Sequence, residues 1–82
     1  MVAKGKIIEI IDKENIVNVI IMNKVSDNKY APICFTGFTD IKRNIAILNI
    51  EKGDNIKINY HIFNIFHTLT TLQQYGYIQY PI

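Results

Sequence analysis

Residues 40–60 read DIKRNIAILNIEKGDNIKINY, and this stretch decides the fold. Ile41, Ile45 and Leu48 fall at i, i+4 and i+7, one stripe of a short helix, while Lys42, Arg43, Asn44 and Asn49 lie largely elsewhere. Thr39 or Asp40 is placed to cap that helix, offering a side-chain oxygen to the free amides of its first turn. Gly53 suits a left-handed stop or turn, because it has no Cβ to clash there. Beyond it, Ile56, Ile58, Tyr60 and Ile62 alternate with Lys57, Asn59, His61 and Phe63, the period of a strand with one face turned inward. A helix passed through a Gly-Asp turn into an alternating strand is a signature of folding, not of catalysis.

Upstream lie three strand signals. Residues 4–11, KGKIIEII, are rich in β-branched side chains, although the apolar residues come in pairs around Glu9. The polar break DKEN at 12–15 suits a hairpin. Residues 16–22, IVNVIIM, form a second strand with apolar side chains on both faces. A second break, NKVSDNK at 23–29, carries Ser, Asp and Asn, which favour turns. Residues 30–38, YAPICFTGF, form a third strand, in which Pro32 marks an edge or a bulge and Gly37 a bulge or a close backbone approach. Alternation puts Ile33 and Phe35 on one face and Cys34, Thr36 and Phe38 on the other. Downstream, residues 64–74, NIFHTLTTLQQ, either prolong the fourth strand or form a long hairpin loop. Residues 75–80, YGYIQY, form the last strand, ended by Pro81.

Three strands, a short helix and two further strands (β-β-β-α-β-β) predict an all-β chain with one helix. This is the order of the OB-fold, a five-stranded Greek-key barrel whose end the helix plugs with Ile41, Ile45 and Leu48. An open α+β sheet and an SH3-like barrel are the competing arrangements. At 82 residues the expected organisation is a single domain over 1–82, burying roughly 60% of its unfolded surface. A hydrophobic content of 49% is enough to fill one core.

Enzyme chemistry finds little footing. His61 and His67 form no HxxxH or HExxH spacing, no acidic cluster offers hard ligands, and the glycines make no phosphate loop. Neither a metal nor a cofactor is expected. Cys34, the single cysteine, excludes an internal disulfide and a zinc quartet, and its place in the run Ile33-Cys34-Phe35 predicts a buried, inert thiol. No secretory leader or membrane-length apolar run occurs, so a soluble cytoplasmic protein is expected. The formal charge of +2 favours a polyanionic partner only through local clustering.

The pattern ICF-x-x-F, then a short helix, then G-D-x-I-x-I-x-Y-x-I, resembles single-stranded DNA-binding proteins of the bacterial and phage kind. It also looks like the small SSB-like OB proteins of Bacteroidetes. The likeness covers residues 30–62 and is loose at both ends. It implies sequence-tolerant binding of single-stranded DNA, with RNA as the alternative ligand, by a homo-oligomer (dimer or tetramer) in a bacterial cell or phage-infected host. Two departures stand out: the 82 residues hold no tryptophan, and no acidic run of the kind with which SSB proteins recruit partners occurs among them.

Such binding needs flat rings to stack on bases and lysines to track phosphates. In OB-folds the usual site is the face of strands two and three, flanked by the first hairpin loop and the loop between strands four and five. The candidates are Lys13 in the first loop, Lys24, Lys29, Tyr30 and Phe35 around strands two and three, and His67, Tyr75 and Tyr77 from the last loop and strand. Lys57 and His61 share the outer side of strand four with Phe63. Any one of Lys13, Lys24 and Lys29 reads first as a solubilising charge near a turn, and Phe35 and Phe38 read first as core. A different expectation arises from Phe63, Ile65, Phe66, Leu69 and Leu72, too apolar for a solvated loop, which fit an interface between subunits in a structural or protein-interaction module.

Overall fold

The computed structural model describes residues 1–63 and 66–74. Its elements are β1 (Val2–Asp12), β2 (Val17–Ser26), β3 (Lys29–Gly37), α1 (Thr39–Ile47), β4 (Asn55–Phe63) and β5 (Phe66–Gln74). The strands close into a barrel in the order β1-β2-β3-β5-β4, and β4 pairs back onto β1. The closing contact between β3 and β5 is parallel, at Thr36 and Thr68; all other pairings are antiparallel. This is the OB-fold, in the element order that the sequence predicts. No described helix is long and apolar enough to cross a membrane.

Alternation builds the core. Val17, Val19 and Ile21 point inward from β2, Phe35 from β3, and Ile56 and Ile58 from β4; in β5 a register slip opposite Asn59 and Tyr60 lets Leu69 and Leu72, three apart, both point inward. Each such side chain stabilises the barrel by about 1.5–3 kcal/mol relative to an exposed position. Apolar Leu69 and Leu72 are thereby accounted for within the barrel, and are withdrawn from the expected subunit interface. In β1 the register slips between Ile7 and Glu9. One extra residue in a ladder is a bulge, and it explains the paired apolar residues around Glu9.

Helix α1 differs in detail from its expected form. Its N-cap is Phe38, in extended conformation and with no side-chain cap, so neither Thr39 nor Asp40 caps it; Asp40 contributes only a negative charge to the first turn. Ile41 is fully buried against Gly37, where an added Cβ would stand 2.6 Å from Ile41 Cγ2; Gly37 is therefore a close approach of strand and helix. Leu48, assigned by spacing to the buried stripe, is exposed, because the helix has already ended. Asn49 adopts φ 58°, and the Asn49 and Ile50 amides donate to the carbonyls of Ala46 and Ile45 at 3.2 and 3.0 Å. That is a Schellman stop with Asn in place of the usual Gly, and it carries Ile50 into the core.

Gly53, with φ 97°, serves the following turn. Its amide donates to the Ile7 carbonyl at 2.8 Å, and the Ile7 amide donates to the Asp54 carbonyl at 2.9 Å. The Asp54 carboxylate accepts from the Glu51 amide at 2.9 Å and from Gln74 Nε2 at 3.0 Å. The Gly-Asp turn thus ties the helix exit to β1 and β5 before β4 begins.

Three further expectations are corrected. The polar break at 23–29 is mostly ladder: Lys24 pairs with Tyr30 and Ser26 with Lys29, leaving only Asp27 and Asn28 as the turn. Phe66–Gln74 neither prolongs β4 nor forms a loop but is a separate fifth strand; residues 75–80, read as the last strand, lie outside the described residues. Cys34 is exposed rather than buried, since β3 turns Phe35 inward and its neighbours outward.

Candidate nucleic-acid interface

The outer face of the β2–β3 ribbon is built from four register pairs: Asn18 with Thr36, Ile20 with Cys34, Met22 with Pro32, and Lys24 with Tyr30. The Thr36 hydroxyl donates to Asn18 Oδ1 at 3.2 Å. From Thr36 to Tyr30 the strand runs about 20 Å at ~3.3 Å per residue.

At the Thr36 end, Phe38, Phe63 and Phe66 gather with Lys13, Asn18 and Thr68 around a shallow groove. The three rings are 52%, 61% and 58% exposed. Phe38 stands there because the chain leaves β3 at Gly37 and turns into the helix. Phe63 and Phe66 end β4 and begin β5 as register partners. Lys13 belongs to the β1–β2 hairpin loop, closed by its amide donating to the Ile16 carbonyl at 2.9 Å. Lys42 of α1 braces this loop: its Nζ donates to the carbonyls of Lys13 and Glu14 and forms an ion pair with Asp12 at 2.9 Å. The helix therefore fixes the loop backbone and leaves the Lys13 ammonium exposed beside the rings.

A second groove adjoins the first, sharing Asn18, Thr36 and Phe66 and adding Pro32, Cys34 and His67. His67 is half-buried, its ring 5.7 Å from Phe35 and 5.5 Å from Tyr60, while Phe35 and Tyr60 meet edge to face at 4.9 Å. This aromatic contact runs from the groove floor into the core and holds the β3–β5 seam. A third groove, lined by Lys4, Lys6, Met22, Lys24, Tyr30 and Asn55 among others, lies at the far end of the ribbon, and none of its described lining residues is a carboxylate.

The residues singled out by the sequence therefore divide. Lys13 and His67 line the aromatic end, and Lys24 and Tyr30 the lysine end. Lys29 is exposed at the start of β3 and lines none of these grooves. Lys57 is half-buried on β4, opposite Lys4 and Gln73. His61 is exposed on the outer face, opposite Thr68. Phe35 is corrected: it is fully buried, so its ring cannot reach a base. Tyr75 and Tyr77 lie outside the described residues. Phe38 and Phe66 are what the candidate set lacked, together with Asn18. Ending one strand at Phe63 and beginning the next at Phe66 makes the two rings directly opposed partners, which share a face; a period-2 count carried straight on from β4 gives them opposite faces.

The chain matches no family model, no curated protein and no solved structure.

Proposed function

We propose that this protein binds single-stranded DNA with little sequence preference and without catalysis, in the manner of SSB-like OB-fold proteins. The observation that carries the reading is the set of three exposed phenylalanines beside Lys13, between the first hairpin loop and the β4–β5 connection. OB-folds take oligonucleotides at that position. Every base has a π-face, so stacking on Phe38, Phe63 or Phe66 tolerates any sequence and is worth ~1–3 kcal/mol per base. Lys13 supplies a cation for the backbone and displaces condensed counterions.

The same exposed rings support a second reading, a structural module that covers them with another subunit and ignores nucleic acid. One experiment separates the two. Labelled oligo-dT, oligo-U and duplex DNA are titrated with the full chain by fluorescence anisotropy, alongside sedimentation of the protein alone. Binding of single strands in preference to duplex supports the first reading. A stable oligomer indifferent to all three probes replaces it with the second.

A further inference from the structure

We infer that the bound strand runs lengthwise along the β2–β3 ribbon, from the phenylalanine cluster to a phosphate-binding site formed by Lys6, Lys24 and Tyr30. This inference rests on the proposed single-strand binding and adds its path, its second contact site and its minimum length.

Continuity is the first support. The phenylalanine groove shares Asn18, Thr36 and Phe66 with the groove over Cys34 and Pro32. Pro32 is the register partner of Met22, which lines the lysine groove. The three grooves thus follow one another along the ribbon, with no described element crossing between them.

Charge is the second. Lys6 lies opposite Met22 on β1, next to Lys24 and Tyr30, and both lysines are exposed. Cations gathered in one groove with no carboxylate among its described lining residues raise the local positive potential and attract a polyanion. Tyr30, 59% exposed, adds a ring on which a base can stack. Midway, Glu9 of β1 stands opposite Ile20. Its carboxylate repels phosphates from the β1 side and moves the path toward β3, over Cys34 and Pro32. Those side chains, with Ile20 and Met22, offer no base-specific hydrogen-bond code, as a sequence-tolerant path requires.

Length is the consequence. An oligonucleotide must span about 20 Å of ribbon to touch both ends, so short oligomers engage one end only. Cys34, the single cysteine, sits exposed under the middle of the path and reports on it directly.

The experiment uses the full chain with oligo-dT of increasing length, measuring the alkylation rate of Cys34 by N-ethylmaleimide and the salt dependence of binding for wild type and a Lys6→Ala/Lys24→Ala variant. Both lysines are exposed, and an unchanged urea midpoint verifies that the variant is folded. The expected result is several-fold protection of Cys34 by long but not by the shortest oligomers. The log–log salt slope of the variant should fall by about 0.7 per lysine removed. Binding that leaves Cys34 alkylation at the free rate, or a slope unchanged in the variant, overturns the path while the phenylalanine site stands. No binding by the wild type overturns both.

Discussion

Phe63 and Phe66 are register partners at the end of the β4–β5 ladder, and both keep more than half of their surface exposed, while Phe35, in the barrel core, keeps none. Replacing an exposed ring removes little packing, whereas emptying a core position costs transfer energy plus a cavity. Phe35→Ala should therefore destabilise the fold by about 3–5 kcal/mol, enough to unfold a chain of this size in large part. Phe63→Ala and Phe66→Ala should each stay within about 0.5 kcal/mol of wild type. Urea unfolding followed by far-UV circular dichroism measures all three. A large loss in either exposed variant would mean that the ring is a structural element rather than a free one.

Lys42 joins helix to hairpin through one ion pair and two carbonyl contacts. Because Asp12 is largely exposed, the ion pair itself contributes little, and the carbonyl bonds carry most of the effect. Lys42→Ala should lower stability by about 1–2 kcal/mol and speed hydrogen exchange at the Lys13 amide, which closes the hairpin. Oligo-dT affinity should fall as well, since Lys13 is no longer held at the groove. Unaltered exchange at Lys13 would refute the bracing role.

Asn49 holds a left-handed conformation at the helix stop. Asn49→Ala introduces a Cβ penalty without the local hydrogen bonding of Asn and should cost about 1–2 kcal/mol, while Asn49→Gly should leave stability close to wild type. Equal unfolding midpoints for the Ala and Gly variants would count against the Schellman assignment.

Much of this barrel is legible in the sequence because alternation and turn chemistry act locally. The run Ile56–Ile58 against Lys57–Asn59, and the Gly-Asp turn before it, behave in the structure as their spacing implies. Spacing alone carries the helix stripe on to Leu48, because a periodic count does not reveal where a helix stops; the left-handed Asn49 decides that. The exposure of Cys34 escapes the sequence for a related reason. Its neighbours are apolar, but a strand alternates, and only the pairing of β3 with β2 determines which parity faces inward. The phenylalanine groove is still less legible, because it brings together Lys13, Phe38 and Phe66 from three parts of the chain, and barrel closure at Thr36 and Thr68 is a long-range event.

The measurement that tests the central claim most directly is the affinity of a Phe63→Ala/Phe66→Ala variant for labelled oligo-dT at low salt, beside the wild type. If these rings stack on bases, each lost stack removes ~1–3 kcal/mol, a fall of about 5- to 150-fold per ring, with the salt slope nearly unchanged because no phosphate contact is lost. Wild-type affinity in a folded double variant would contradict the account.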